Sequence, residues 1–205
     1  MPSRFFSFFS KPAPIPALPK QVATYLACFE KPNTAREWVV FDTETTGLLP
    51  TKDRMVSIGA VVVKDDSIIL KETHEWFIHV ENQTAEGVAV HGVLARDDFQ
   101  PEADVLLEWL NFIQNRPLVA HHAAFDVAMV NHALERHFGI KMKNSVLDTA
   151  QLALKKEHYG RIPDAYLPDC YTLDNLLLRY KIPVQDRHTA LGDALATALL
   201  FLKLT

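Results

Sequence analysis

The segment WVVFDTETTGL, Trp38 to Leu48, joins an apolar strand to two closely spaced carboxylates. In an extended chain, Asp42 and Glu44 point to one face, while Thr43 points to the other. A single acidic residue at a strand end commonly only marks a turn to solvent. Two like charges on one face repel each other unless a cation lies between them, and Mg²⁺ or Mn²⁺ suits hard carboxylate oxygens. The segment therefore predicts a strand that ends at a metal site.

The composition fits one domain with an additional terminal segment. The chain has 205 residues, of which 48% are hydrophobic and 22% are charged, enough for one substantial core. Its net charge of -4 gives no general attraction to nucleic acid or to an anionic membrane. No apolar stretch approaches the roughly 20 residues that span a bilayer. The distant cysteines Cys28 and Cys170 match no disulfide or zinc pattern, which indicates reduced thiols in a cytoplasmic protein, and no membrane partner is expected.

Residues 1–35 are predicted to form a proline-rich tail followed by a short helix. The tail, MPSRFFSFFSKPAPIPALPK, should be extended and lie outside the core. The next segment, QVATYLACFEK, has the composition of a short helix that ends before Pro32. The main domain is accordingly expected at residues 36–205, and the tail is a candidate docking arm.

The main domain alternates predicted strands and helices. Two β-rich runs within residues 55–80 flank the turn Lys64-Asp65-Asp66 and predict a hairpin. A helix with apolar residues on one face follows Pro101. Two strand–helix units and two further helices complete the chain, and the last helix is strongly apolar. This order predicts an α/β fold with a mixed five-stranded sheet and helices on both faces.

Two more aspartates fall where further metal ligands would be needed. Asp126 lies in the predicted first turn of the helix after the fourth strand, and Asp193 lies near the start of the last helix. Either alone is unremarkable, because acidic residues are favoured near helix N-termini. His188 precedes Asp193 by five residues, a spacing that leaves two helical side chains about 140° apart. With Thr189 as the N-cap, His188 is therefore expected on the preceding loop, above a site that Asp193 holds from the helix.

The motifs FDTETTG, HHAAFD and HTALGDA, in this order, resemble those of the DEDDh family of 3′–5′ exonucleases. That family includes the epsilon subunit of bacterial DNA polymerase III and ribonuclease T. The resemblance implies a ribonuclease H-like exonuclease domain that releases nucleoside monophosphates from single-stranded 3′ ends, freely or as a proofreading partner. It assigns His188 as the general base. It also assigns four catalytic and metal-binding acids: Asp42, Glu44, Asp126 and Asp193.

The implied chemistry explains these residue types. A phosphodiester is anionic, so attack by water requires that its charge be masked and that the water lose a proton. Two divalent ions, Mg²⁺ or Mn²⁺, about 3.5–4 Å apart, stabilise the attacking and leaving oxygens in such reactions. The four acids would hold both ions, and neutral His188 would accept the proton.

The same resemblance suggests which residues meet the terminal nucleotide. Thr45 and Gly47 end the first motif and Leu48 follows it; Gly47 would let the backbone approach, and Leu48 would lie against the terminal base. Phe125 would either stack on that base or belong to the core. His91, in AVHGVLARDDF, would either approach the nucleotide or be an ordinary loop residue.

One position departs from the family pattern. The second motif usually has asparagine where this chain has His122. Histidine can also donate a hydrogen bond, so activity is expected to survive, with altered contacts around the metal-binding residues. His122 is therefore kept as a candidate substrate residue. A zinc site built from His121 and His122 is disfavoured, because adjacent residues on a strand face opposite ways.

The expected partner is the 3′ end of single-stranded DNA or RNA, and the motifs do not choose between them. Basic residues between Arg136 and Arg161 would form a surface that follows the nucleic-acid backbone, although such runs are commonly solvated surface. The tail would dock to a polymerase or another replication or repair protein. The alternative is a non-catalytic nucleic-acid-binding or polymerase-assembly module on the same fold. The complete set of four acids and a histidine favours the enzyme.

Overall fold

A computed structural model describes residues 18–80, 98–163, 165, 167–183 and 185–205. A helix, α1 (Lys20–Ala27), precedes three strands: β1 (Glu37–Thr45), β2 (Met55–Lys64) and β3 (Ser67–Phe77). The chain continues through α2 (Glu102–Ile113), β4 (Leu118–Ala120), α3 (Ala124–Phe138), β5 (Val146–Asp148) and α4 (Thr149–Glu157). It ends with α5 (Leu173–Arg179) and α6 (Ala190–Leu204). Within these described ranges, no helix is long and apolar enough to cross a bilayer.

The strands form one five-stranded mixed sheet in the order β3-β2-β1-β4-β5. Strands β1, β2 and β3 are antiparallel neighbours, and Lys64 pairs with Ser67 across the predicted hairpin turn. Strand β4 is parallel to β1, and β5 is parallel to β4. Helices α2 and α3 precede β4 and β5, because parallel neighbours need a long crossover connection. The predicted mixed five-stranded sheet is therefore confirmed.

Each face of β1 meets a different set of helices. Phe41 belongs to a large core built with α1, α2 and α3. Val40 faces the other way and packs against α6. Because side chains alternate along a strand, Asp42 and Glu44 share the face of Val40, whereas Thr43 shares that of Phe41. The predicted helices on both faces are present, and the two carboxylates lie on the side of α6.

Two glycines allow the start of α6 to pack closely, Gly59 against the sheet and Gly192 against the loop before the helix. Gly59 of β2 pairs with Asp42 of β1, and a Cβ on Gly59 would lie 2.1 Å from the carbonyl carbon of Ala190. A Cβ on Gly192 would lie 2.0 Å from the carbonyl oxygen of Asp186. Backbone atoms cannot give way as a flexible side chain can, so a residue with a side chain at either position would displace the start of α6. The glycines thus place the first turn of α6 beside the end of β1.

Helix α1, predicted as part of the N-terminal segment, packs into the main core. Val22 and Tyr25 are buried there. The Tyr25 hydroxyl donates to Asn144 Oδ1 at 2.7 Å and accepts from the Lys143 N–H at 2.7 Å. Burial raises the pKa of Tyr25 to about 12. Helix α1 therefore shares the core of the main domain, and the domain boundary between residues 35 and 36 stays a prediction.

Truncation of Tyr25 to alanine is expected to lower the free energy of unfolding by about 3–5 kcal/mol, as for other large buried side chains. The substitution leaves a cavity and removes the acceptor of the Lys143 N–H. Urea denaturation followed by circular dichroism measures the change. Tyr159→Ala is the control, because the Tyr159 side chain is 99% exposed and its loss should matter by less than about 0.5 kcal/mol. Similar losses in both variants would contradict the docking of α1.

Candidate active site

Three carboxylates from two elements converge at the carboxyl end of β1. Asp42 and Glu44 come from the strand, and Asp193 comes from the first turn of α6. One oxygen of each lies within 4.8 Å of the other two. Ligands of an octahedral Mg²⁺ lie about 2.1 Å from the ion, so opposite ligands are about 4.2 Å apart. A small contraction would therefore fit these oxygens around one divalent cation.

Asp126 approaches β1 from the opposite face. Its Oδ1 accepts hydrogen bonds from the Thr43 N–H at 3.0 Å and the Thr43 hydroxyl at 2.7 Å. That N–H is available because the pairing of β1 with β4 ends at Val40. Asp126 is buried and close enough to contribute to the raised pKa of Asp42. The structure thus gathers three predicted ligands around one position and holds Asp126 beside them.

His188 lies on the loop before α6, where it was predicted. Thr189 caps the helix, since its hydroxyl accepts from the Gly192 N–H at 3.1 Å. The His188 N–H donates to Asp193 Oδ1 at 3.3 Å, and the residue is exposed. Its φ of 64° is left-handed, a conformation that histidine adopts more often than most residues. The backbone of His188 therefore lies next to Asp193, and its side chain is accessible to solvent.

The crowded acids hold protons more tightly than usual. Burial, followed by Asp126, Asp193 and Glu44, raises the pKa of Asp42 well above its ordinary value. Burial and the charges of Asp193 and Asp126 raise the pKa of Glu44 to about 7. Burial also raises the pKa of Asp126 to about 7, against the hydrogen bonds from Thr43. A bound cation would oppose these shifts, because it favours the charged carboxylates.

A guanidinium that was not predicted from the sequence lies against the cluster. Arg187 Nη1 donates to Asp193 Oδ1, while Arg187 Nε and Nη2 donate to Asp174 Oδ1 at 2.9 and 2.8 Å. Burial opposes the charge, but these two carboxylates raise the pKa of Arg187. The position of Arg187 immediately before His188 in the sequence could have indicated that it lies near the site. The sequence pattern gives no such indication for Asp174, which belongs to α5.

The last residues of the first motif form a tight turn at the end of β1. The Thr45 hydroxyl donates to the Gly47 carbonyl at 2.8 Å. A Cβ on Gly47 would lie 2.6 Å from a carboxylate oxygen of Asp53, so a larger residue there would require the Asp53 side chain to move. Leu48 is 81% exposed and free to meet a ligand. Nucleotide contact by Thr45, Gly47 and Leu48 stays a prediction.

The remaining candidates differ in their surroundings. His122 is exposed and has a left-handed backbone with φ of 53°. Phe125 is half-buried against the main core, which agrees with the core alternative but leaves part of its ring accessible. Burial lowers the pKa of His121 to about 4, so this side chain is neutral at physiological pH. His91 lies in residues 81–97, outside the described residues.

Comparison with known proteins identifies the family. A family model described as Exonuclease, RNase_T, matches residues 39–201 and so includes the three sequence motifs. The chain belongs to this exonuclease family. The resemblance to the polymerase III epsilon group is confirmed.

Two relatives of this chain are named as DNA polymerase III proteins. A DNA polymerase III subunit epsilon-like protein of Rhodobacter capsulatus is 36% identical over 184 residues, covering 87% of this chain and 25% of that protein. A PolC-type DNA polymerase III of Caldanaerobacter subterraneus subsp. tengcongensis is 33% identical over 172 residues, covering 82% of this chain and 11% of that protein. The exonuclease thus spans a quarter or less of these relatives.

Solved structures share the fold of the exonuclease. Exonuclease I of E. coli, in complex with a dT13 oligonucleotide, superposes with a TM-score of 0.64 at 18% identity, over 82% of this chain and 40% of that chain. Exonuclease X, in complex with 5′ overhanging duplex DNA, superposes with a TM-score of 0.59 at 23% identity, over 82% of this chain and 90% of that chain. The predicted ribonuclease H-like fold is confirmed.

In the presence of a chelator, the free energy of unfolding of the protein is expected to fall as the pH rises from about 4.5 to 7. Folded Glu44 and Asp126 keep their protons up to about pH 7, whereas the unfolded chain releases them near pH 4, so proton release favours unfolding within this window. The melting temperature should fall on the order of 5 °C, and Mn²⁺ should restore it. Differential scanning calorimetry tests this. Glu44→Gln should flatten the profile, and a flat parent profile would contradict the crowding.

Proposed function

We propose that this protein is a metal-dependent 3′–5′ exonuclease that hydrolyses single-stranded DNA or RNA from the 3′ end to nucleoside monophosphates. The observation that carries the proposal is the convergence of Asp42, Glu44 and Asp193 within 4.8 Å of one another. Buried Asp126 and exposed His188 lie beside them. This donor set, in a chain of the exonuclease family, suits phosphodiester hydrolysis.

The acids would hold two divalent ions, Mg²⁺ or Mn²⁺. Asp42, Glu44 and Asp193 would bind one ion, and Asp126 would contribute to a second through the oxygen that does not accept from Thr43. Bound ions would mask the phosphate charge and assist the deprotonation of water. Such ions also supply the positive charge that a protein of net charge -4 lacks.

His188 would serve as the general base. Its exposure supports this role, because an accessible imidazole could accept a proton from an attacking water. The backbone N–H of His188 donates to Asp193 and so holds the loop at the start of α6. The imidazole would therefore stay near the site without being required as a metal ligand. Removal of His188 should therefore impair chemistry more than metal binding.

A solved structure with the same fold supports the proposed substrate. One neighbour, Exonuclease I, is bound to a dT13 oligonucleotide, which favours a single strand. Leu48, 81% exposed at the rim of the site, would lie against the terminal base, with Thr45 and Gly47 beside the nucleotide. His122 and Phe125 would approach from the start of α3. A comparison of DNA and RNA hydrolysis, described below, decides between the two substrates.

The N-terminal tail belongs to the same proposal. Relatives named as DNA polymerase III proteins support a polymerase, or another replication or repair protein, as the partner that the tail docks to. These replication proteins also agree with the proposed place of action in the cytoplasm. Proofreading within such an assembly and repair by the free enzyme are both compatible with the site.

Hydrolysis of 5′-labelled single-stranded DNA, single-stranded RNA and mismatched duplex should require Mg²⁺ or Mn²⁺ and shorten each accepted strand stepwise from its 3′ end. Asp42→Asn should lower the rate by on the order of 10³, because a ligand shared by the cluster loses its charge. Lys64→Gln, at the exposed far end of β2, is the control and should retain the parent rate. Binding without hydrolysis would favour the non-catalytic module, and full activity in excess chelator would exclude the metal mechanism.

His188→Asn should lower the hydrolysis rate by on the order of 10²–10⁴ while leaving Mn²⁺ affinity close to that of the parent. Asparagine is chosen because it tolerates the left-handed backbone at this position but cannot accept the proton. His132→Asn, on α3, is the matched control. Single-turnover kinetics and Mn²⁺ titration measure the two quantities. An equal loss of metal affinity, or an unchanged rate, would remove His188 from the role of base.

A further inference from the structure

Arg187 lies where a cation would meet the acid cluster. Its Nη1 donates to Asp193 Oδ1, the oxygen that also accepts from the His188 N–H. The charge of Arg187 lowers the pKa of both Asp42 and Glu44, against the larger effects of burial and neighbouring acids. Within the described part of the chain, Arg187 is thus a counter-ion of the cluster when no metal is bound.

A second carboxylate holds the same guanidinium from outside the cluster. Asp174 in α5 accepts from Arg187 Nε and Nη2, the edge of the guanidinium that does not face Asp193. The Asp174 side chain is 67% exposed, whereas that of Arg187 is 19% exposed. Arg187 can therefore lose Asp193 and still keep two charge-assisted hydrogen bonds.

We propose that Arg187 is an internal counter-ion that a divalent cation displaces from Asp193, while Asp174 retains its guanidinium. The inference rests on metal binding by the acid cluster, as in the proposed function. A cation held by Asp193 and the guanidinium on the same carboxylate would repel each other at short range. Since the arginine stays protonated, repulsion is relieved by movement of its side chain and not by loss of a proton.

The apparent metal affinity is then the difference between two interactions of the Asp193 carboxylate. Binding of the cation forms one interaction, and loss of the hydrogen bond from Arg187 removes the other. Arg187→Gln removes the competitor and should tighten metal binding. Asp174→Asn removes the charge that retains the displaced guanidinium, so Arg187 should hold Asp193 more firmly and metal binding should weaken. The two substitutions therefore act in opposite directions, which a general loss of folding would not produce.

Titration of the full chain with Mn²⁺, with free Mn²⁺ measured by electron paramagnetic resonance, tests this without reference to hydrolysis. Arg187→Gln should lower the Kd for Mn²⁺ on the order of tenfold, and Asp174→Asn should raise it several-fold, about the net effect of one ordinary hydrogen bond, because asparagine keeps an acceptor but loses the charge. In chelator, Arg187→Gln should melt below the parent, and Mn²⁺ should stabilise it more than it stabilises the parent. Arg179→Gln is the matched control, because Arg179 ends α5 and pairs with Glu157 away from the cluster.

The outcomes separate the inference from the proposed function. If the parent binds Mn²⁺ and Arg187→Gln binds it equally or more weakly, the displacement is wrong and the metal site stands. If the parent binds no Mn²⁺, both are overturned. Should Arg187→Gln fail to fold, Asp174→Asn decides alone: weaker binding supports the displacement, and unchanged or tighter binding overturns it.

Discussion

The backbone contact between the first turn of α6 and Gly59 of β2 determines where the acid cluster can form. Gly59 is the cross-strand partner of Asp42, so the closest approach of the helix falls beside the first carboxylate. Without that approach, Asp193 would stand off from the strand and the three oxygens would not share one position. The Thr189 cap fixes where α6 begins, so this contact and the cap together place Asp193 beside β1.

Placing these acids together costs electrostatic free energy, and the protein has three ways to lower that cost. Protons can stay on the acids, as the raised pKa values of Asp42, Glu44 and Asp126 indicate. Arg187 can pair with Asp193. A divalent cation can replace both, because its charge is larger and its ligands are the same oxygens. A cluster that is costly when empty is therefore suited to bind metal.

Periodicity made much of the fold and part of the site predictable. The i and i+2 spacing of Asp42 and Glu44 puts both on one face of any extended strand, and the structure has them there. The loop position of His188 follows from its spacing to Asp193 and from the cap at Thr189. Gly59, inside an apolar strand, carried a signal that was overlooked, since an isolated strand glycine often marks close backbone approach.

The sequence by itself determined the elements, the mixed sheet and the family, because helical and strand periods and short motifs are local properties of the chain. Only the tertiary structure decided which partners the acids meet. Arg187 lies between Asp193 and Asp174 because α5 and α6 approach each other at that point. Asp126 accepts hydrogen bonds from Thr43 because β1 continues beyond the residues that pair with β4. Thr43 and Asp126 are 83 residues apart and belong to different elements, as do Asp174 and Asp193, and no local sequence pattern encodes the distance between separate elements.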